Sequence, residues 1–164
     1  MLWIILIACA LFISILESTT FNQIGFLGIQ PDFFLIFAVL AALNLDLSEA
    51  SVTACIMGLS KDILTEGPLG VNASFFIVIV ILIGLLRHKV YTGNILMQLL
   101  VVLIASIIYR GGSALFMWIY YGTIAPSPMI LNVFAGSAYT AAWATAPYFL
   151  FRKFRPLHLR RDLL

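Results

Sequence analysis

The polar interruption in this otherwise apolar chain reads Lys61-Asp62-Ile63-Leu64-Thr65-Glu66-Gly67-Pro68-Leu69-Gly70-Val71-Asn72. It contains three charged residues, two glycines and a proline, all of them residue types that hydrocarbon disfavours. Charged side chains are costly at membrane depth, so they are kept there only where they have a role. The residues on either side of this segment indicate where it lies and what that role is.

The composition predicts an all-α integral membrane protein. Hydrophobic residues make up 63% of the 164 residues and charged residues only 10%, whereas a soluble domain carries roughly 25% charged residues. A chain so poor in charge cannot cover a globule with polar surface, so it needs lipid as its solvent. Its length leaves room for one bundle and for no sizeable soluble module.

Six apolar runs are candidates to cross the membrane, for which about 20 mainly apolar residues are needed. The runs are about Leu2–Ser18, Pro31–Leu45, Ala50–Leu64, Val71–Leu86, Ile95–Tyr121 and Pro128–Phe151. The first has no basic n-region and no small-residue cleavage pattern, so we expect a retained span. The fifth is long, which predicts a helix that is tilted or broken at Gly111-Gly112. The second, third and fourth are short, which predicts packing inside a bundle.

Helix-start signals accompany two of these runs. Gln30 can cap the second run, with Pro31 in its first turn and Asp32 next to the positive end of the helix dipole. Asp46 and Glu49 have the N-cap and N3 spacing of a capping box at the start of the third.

Together the six runs predict a transmembrane bundle over residues 1–151, followed by a tail over residues 152–164.

The basic residues predict the orientation of the bundle. Five of the nine lie in the tail at residues 152–164, and the loop at residues 87–94 carries two more. With six spans, these segments share one side of the membrane, and the loops on the other side contain no Lys or Arg. This asymmetry predicts that both termini are cytoplasmic. Next to a membrane helix, the tail is expected to bind anionic lipid rather than nucleic acid.

Arg110 lies in the middle of the fifth run, where an unpaired charge costs at least roughly 2.5–3.5 kcal/mol. Asp62 is the best internal partner, and Glu66 and Glu17 are alternatives nearer the outer surface. The other possibility is that Arg110 extends outward through a break at the glycine pair. Lys61 lies on a different helix face from Asp62, so it could reach the outer headgroups or meet Glu17.

The sixth run carries Ala138, Ala142 and Ala146 at intervals of four residues. Such a strip of small side chains allows another helix to approach closely. Packing within this chain and docking of a partner's helix both remain open.

The sequence contains no strong pattern of catalytic or metal-binding residues. Asp62 and Glu66 could form an acid–base pair, but no nucleophile or metal set accompanies them. The two histidines lie among basic residues, and both cysteines lie inside apolar runs without metal spacing. We therefore expect no catalytic residue, no metal site and no cofactor. Membrane charges can also line a transport path, but this chain has no nucleotide-binding motif and no clear inverted repeat.

The motifs around the polar interruption resemble those of a known family. Pro31-Asp32 precedes an apolar helix, Gly58-Leu59-Ser60-Lys61-Asp62-Ile63-Leu64 follows, and Gly67-Pro68-Leu69-Gly70-Val71-Asn72-Ala73 forms a turn. This pattern resembles the rod shape-determining protein MreD family, whose members are small, very apolar and have about six spans. The length, Tyr109-Arg110 in the fifth run and the basic tail fit as well.

The resemblance implies a non-catalytic, multi-pass subunit of the bacterial inner membrane that belongs to the cell-elongation machinery. Similar proteins bind the single-span protein MreC and are linked to MreB, RodA and its transpeptidase in peptidoglycan synthesis. Their bundle is similar to that of substrate-binding subunits of energy-coupling-factor transporters, so a small-molecule binding subunit is the alternative. A homo-oligomer is also possible.

The residues expected to set the bundle and its outer turn are Asp62, Gly67, Pro68, Gly70, Asn72 and Arg110. The expected contact surfaces are the alanine strip and the tail.

Overall fold

The computed structural model describes residues 30–65, 68–86, 95–122 and 126–145. Within these ranges the chain forms five helices and no strand, which agrees with the predicted all-α class. The helices are α1 (Phe33–Asn44), α2 (Leu47–Leu64), α3 (Val71–Leu86), α4 (Ile95–Tyr121) and α5 (Pro126–Trp143). They correspond to the second to sixth apolar runs. The first run, the basic tail and the end of the sixth run lie outside the described residues.

The central helix of the bundle is α1, which packs against all four of the other described helices. Nine of its 12 residues are buried, and they cover the helix except for one narrow stripe that contains the half-buried Phe33, Phe37 and Asn44. A helix that is hydrophobic all round belongs in the interior of a bundle. At 1.5 Å per residue α1 is about 18 Å long, well short of a hydrocarbon core of about 30 Å. The prediction that short runs pack inside is therefore confirmed for α1.

The start of α1 differs from the prediction that Gln30 caps it. Asp32 is the N-cap residue, and its Oδ1 accepts a hydrogen bond from the backbone N–H of Leu35 at 3.1 Å. A cap side chain must reach the N–H groups of the second or third helical residue, so it has to come from the residue directly before the helix. Gln30 lies too far upstream to cap the helix. Its carbonyl instead accepts a hydrogen bond from Arg110, which is described below.

At the start of α2, Asp46 occupies the N-cap position, but its side chain makes no capping hydrogen bond. The capping box predicted from Asp46 and Glu49 therefore lacks the hydrogen bond that its N-cap side chain would make. Asp46 is exposed, so solvent can satisfy the first N–H groups of α2 without help from a side chain.

The α2 and α3 helices touch along their backbones. A Cβ atom on Gly58 would overlap the Cα of Ala73 and would lie 2.7 Å from its backbone nitrogen. Small residues allow helix axes to approach more closely than larger side chains permit. Gly58 therefore sets the spacing between α2 and α3.

The 27 residues of α4 form one continuous helix through Gly111 and Gly112. Of the two predicted alternatives, a tilted or a broken helix, the break is not found and the tilt stays a prediction. Glycine inside a helix costs only about 1 kcal/mol relative to alanine, and packing offsets that cost. The Phe75 ring fills the space beside Gly112, where a Cβ would lie 2.7 Å from its Cε1 atom. Among the described helices, α4 is the one long and apolar enough to cross a membrane.

A large apolar surface of α4 remains exposed. Six of its aliphatic side chains are 47–73% exposed and recur mainly at intervals of four residues: Leu96, Leu100, Ile104, Ile108, Leu115 and Ile119. A ridge of this kind on a long apolar helix is suited to contact with lipid.

Candidate functional site: a buried polar cluster

A cluster of polar side chains connects all five described helices. It lies at the beginnings of α1 and α3, at the end of α2, in the middle of α4 and in the last turn of α5. Its members are Asp32, Lys61, Asp62, Asn72, Tyr109, Arg110 and Thr140. We call these seven residues the polar cluster. The sequence singled out three of them, Asp62, Asn72 and Arg110, as site residues.

Asp62 binds the N-terminus of α3. Its Oδ2 accepts hydrogen bonds from the backbone N–H groups of Gly70 at 2.9 Å and Ala73 at 3.3 Å, and its Oδ1 accepts one from Asn72 at 3.0 Å. The side chain is only 2% exposed. The first N–H groups of a helix have no partner inside the helix, and the helix dipole favours an anion there. Asp62 thus joins the last turn of α2 to the first turn of α3.

The turn between these helices depends on Gly70, which has a φ of +94°. No atom lies within 4 Å of the position that a Cβ would take, so glycine is needed here for its backbone conformation rather than for space. Pro68 precedes this turn and is half-buried. Gly67, which was predicted to belong to the same turn, lies outside the described residues.

Asn72 extends the connection from α3 to α4. Its Oδ1 accepts a hydrogen bond from the hydroxyl group of Tyr109 at 2.6 Å, and its Nδ2 donates to Thr65 Oγ1 at 3.3 Å. The Tyr109 ring packs edge-to-face against Phe76, with ring centroids 5.1 Å apart. One side chain of α3 therefore contacts both the end of α2 and the middle of α4.

Lys61 forms a salt bridge with Asp32, which links the end of α2 to the start of α1. Its ammonium nitrogen also lies 4.7 Å from the ring centroid of Tyr109, close enough for a cation–π contact. The side chain is 14% exposed, so it turns inward. Of the two contacts predicted for it, the outer headgroups are not what it faces, and Glu17 lies outside the described residues. The sequence reasoning missed this pair. The signal was available, because the predicted topology puts the start of the second run and the end of the third on the same side.

Arg110 does not pair with Asp62, the partner judged best from the sequence. Its Nη2 donates to the backbone carbonyl of Gln30 at 2.7 Å and approaches Thr140 Oγ1 at 3.4 Å. Asp62 is instead occupied by the amides of α3, a partner that charge counting does not reveal. The guanidinium group lies against Gly136, where a Cβ would be 2.6 Å from Cζ. Arg110 is thus held inside the bundle rather than directed outward through a helix break.

Thr140 connects α1 to α5 and was not identified from the sequence. It is fully buried, and its hydroxyl oxygen accepts a hydrogen bond from the backbone N–H of Asp32 at 3.2 Å while donating to Gly136 O at 2.8 Å. Thr140 and Gly136 are small residues of an apolar helix, and the sequence offers no signal that separates them from the alanine strip beside them.

The charges of the polar cluster are balanced unevenly. Lys61 and Asp32 neutralise each other, and the N-terminus of α3 stabilises the charge on Asp62. Among the described residues, Arg110 contacts only neutral oxygens, and its buried Nε makes no hydrogen bond. The buried hydroxyl group of Ser106, one turn earlier on α4, makes none either.

The described part of the alanine strip, Ala138 and Ala142, lies on the outer side of α5. Ala138 and Ala142 are exposed, and Ala146 lies outside the described residues. The opposite side of α5, which contains Gly136 and Thr140, faces the bundle. In the described part of the chain, helix packing therefore uses the other face of α5, and Ala138 and Ala142 do not serve it.

The arrangement joins helices to one another rather than presenting reactive groups. Within the described ranges, no group of three or more His, Cys, Asp or Glu side chains could hold a metal ion. Both oxygens of Asp62 are bound to backbone amides of α3. The proposed acid–base partner, Glu66, lies outside the described residues.

The fold and the site together define an all-α membrane protein whose buried charges connect its helices. The family model for the rod shape-determining protein MreD matches residues 1–156, and the chain belongs to this family. It is therefore a rod shape-determining membrane protein, a structural protein that acts in a complex with other proteins. Searches of curated proteins and of solved structures each found no match.

Proposed function

We propose that this chain is a non-catalytic, multi-pass subunit of the elongation complex in the bacterial inner membrane. It binds an MreC-type single-span protein, and through it helps to control cell shape and lateral peptidoglycan synthesis. MreB, RodA and its transpeptidase are the further partners of the complex. Family membership supports the role in shape determination. The observation that supports the non-catalytic part is the bonding of Asp62 to three backbone amides at the start of α3, those of Gly70, Asn72 and Ala73.

The binding of Asp62 favours a scaffold over a catalytic or transport site. A carboxylate that transfers protons or coordinates a substrate has to remain accessible, and its charge is usually balanced by the group on which it acts. Asp62 is 2% exposed and uses both oxygens on the backbone of its own chain. The alternative, a small-molecule binding subunit with a cavity between Asp62 and Arg110, requires these contacts to be given up.

The outer face of α5 is the proposed docking surface for the partner helix. Ala138 and Ala142 are exposed one turn apart, and Phe134 precedes them by another turn and is 63% exposed. Small side chains let a partner helix come close, and a neighbouring aromatic ring adds contact area.

Both termini are proposed to be cytoplasmic, which brings the tail at residues 152–164 to the anionic leaflet.

Co-purification in mild detergent tests this surface. Ala142→Phe, on the proposed docking face, should strongly reduce recovery of a co-expressed MreC-type protein, because the larger side chain keeps the partner helix away. Ile104→Phe is the matched control, since Ile104 is 47% exposed on the lipid-facing ridge of α4. Equal recovery of the partner with both variants would exclude the α5 face. Failure of the unsubstituted chain to bind would count against the proposed function as a whole.

A further inference from the structure

The start of α3 lies well below the end of α4 along the bundle. The Phe75 ring, near the start of α3, lies against Gly112 of α4. A helical side chain lies over the turn before its own Cα, so the first turn of α3 is level with Gly112. The eight residues between α3 and α4 are too few for a parallel arrangement, so the two helices run in opposite directions. Residues 113–121 of α4 therefore continue beyond the start of α3 by about 13 Å.

The α5 helix extends beyond the start of α1 in the same way. The backbone N–H of Asp32, directly before α1, binds Thr140 in the last turn of α5. Residues 126–139 of α5 precede this contact and form about 21 Å of helix. Only four residues join α4 to α5, so the two helices form a hairpin. This hairpin projects beyond the level at which α1 and α3 begin and α2 ends.

The projecting part of α4 exposes apolar side chains on every side. The exposed residues, with 41–73% of their surface accessible, are Leu115, Met117, Trp118, Ile119 and Tyr120. Consecutive helical residues point about 100° apart, so the last four together cover the circumference of the helix. Exposed aliphatic side chains favour hydrocarbon, and exposed Trp and Tyr are typical of its boundary with water. The hydrocarbon beside α4 therefore extends to the level of Trp118 and Tyr120.

The turn between α2 and α3 lies roughly 9–12 Å short of that boundary, the length of the six to eight residues of α4 that follow Gly112. Thr65 is exposed and Leu69 is 75% exposed, so both lie at the surface of the bundle. Non-helical backbone is tolerated at membrane depth only where protein buries it or water reaches it. Water or lipid headgroups must therefore reach Thr65 and Leu69.

The surface of α3 indicates that lipid lies directly beside this part of the bundle. Val78, Leu82 and Leu85 are exposed on one side of α3, at intervals of three or four residues. The 16 residues of α3 form about 24 Å of helix, which is less than a hydrocarbon core of about 30 Å. A bilayer accommodates a short hydrophobic segment by becoming thinner around it. Headgroups can therefore reach the turn without a water-filled recess in the protein.

We propose that this chain thins the bilayer beside α2 and α3, where phospholipid headgroups descend to Thr65 and Leu69. The bilayer keeps its full thickness beside α4. The bundle thus presents two hydrophobic heights to lipid, about 24 Å along α3 and about 40 Å along α4. The inference depends neither on a partner protein nor on which side of the membrane this end of the bundle faces.

Labelling of single cysteines in lipid nanodiscs tests the thinning, because a reagent reaches both faces of a nanodisc. In a chain with Cys9→Ala and Cys55→Ala, Leu69→Cys and Leu115→Cys place a thiol within about one turn of the same level, on α3's turn and on the lipid-facing ridge of α4. In dioleoyl phosphatidylcholine, a charged, membrane-impermeant maleimide should react at least about tenfold faster with Leu69→Cys, since the reactive thiolate forms in water. After unfolding in strong detergent, the two rates should be equal. Equal rates in the nanodisc, or slow reaction of both, would overturn the proposal.

A longer acyl chain separates a thinned leaflet from a water-filled recess. Dierucoyl phosphatidylcholine forms a thicker bilayer than the dioleoyl lipid, so headgroups should reach the turn less easily. Labelling of Leu69→Cys should slow several-fold in dierucoyl nanodiscs, whereas Leu115→Cys should remain slow in both lipids. A Leu69→Cys rate that does not change with chain length would mean that water reaches the turn through the protein, and the proposed thinning would be wrong.

Discussion

Asp62 is buried and Arg110 is half-buried in the same bundle, and the two charges are stabilised in different ways. Asp62 lies at a helix terminus, where three backbone N–H groups converge on its carboxylate. Arg110 lies in the middle of α4, where every backbone group belongs to the helix, and it reaches a carbonyl and a hydroxyl on other segments. A helix end can stabilise an anion locally, whereas a charge in mid-helix depends on distant parts of the chain. The two regions should therefore respond differently to substitution.

The largest effect is expected from Asp62→Ala. It leaves three N–H groups at the start of α3 without an acceptor, that of Ala73 buried and those of Gly70 and Asn72 partly buried. An unsatisfied buried group costs about 1–3 kcal/mol and a partly buried one less, so the free energy of unfolding in detergent should fall by about 3 kcal/mol. Asp62→Asn is the control because it retains one acceptor oxygen and should lose less. Equal losses for both variants would show that the charge of Asp62, and not its acceptor count, determines its contribution.

Gly58→Ala should have the next largest effect, since it acts on the same α2–α3 unit. The added methyl group would overlap the Cα of Ala73, a backbone atom that can move only with its helix. Overpacking of this kind costs about 1–3 kcal/mol. Gly111→Ala is the control, because no atom lies within 4 Å of its Cβ position. It should leave the unfolding midpoint unchanged or raise it, since alanine favours the helix more than glycine does.

On the Arg110 side, Gly136→Ala should have a smaller effect than Gly58→Ala. The new methyl group would lie 2.6 Å from Arg110 Cζ, but that atom is at the end of a flexible side chain. We expect a loss of about 1 kcal/mol, comparable to one hydrogen bond. Thermal unfolding of both variants in one detergent gives the comparison. A loss larger than that of Gly58→Ala would mean that Arg110 is held as rigidly as Asp62.

Tyr109→Phe tests the connection between the two regions and should have the smallest effect. It removes the 2.6 Å hydrogen bond from the Tyr109 hydroxyl to Asn72 but keeps the ring beside Lys61. The expected loss in the free energy of unfolding is about 0.5–1.5 kcal/mol. Combined with Asp62→Ala, the loss should be less than additive, because both bonds hold the start of α3. Full additivity would show that α3 and α4 are coupled independently of Asp62.

Sequence patterns located the helices well. The fourth and fifth runs end at the residues that bound α3 and α4, because apolar runs between polar segments mark membrane helices directly. The importance of Asp62 and Asn72 was also evident, since few polar residues interrupt the apolar chain. The break at Gly111-Gly112, one of two alternatives predicted for the long fifth run, is not found. The Phe75 ring packs beside Gly112, a contact that no local pattern contains.

The partners of the charges could not be derived from the sequence. Counting opposite charges favours Asp62 with Arg110, but backbone amides at a helix start compete for the carboxylate and prevail. Pairing also depends on the level of each side chain along its helix and on the side that it faces. The Lys61–Asp32 pair and the hydroxyl group of Thr140 depend on both, and they join residues 29 and 108 positions apart.

The short length of α1 has a consequence for how this protein is made. A segment of about 18 Å cannot span the bilayer by itself, and its polar ends, Asp32 and Asn44, would meet hydrocarbon if it were inserted alone. It packs mainly against α2 and α3 and less extensively against α4 and α5, and all four are synthesised later. Correct insertion of the second apolar run therefore depends on the helices that follow it, and truncation after α1 should leave this helix without a stable position in the membrane.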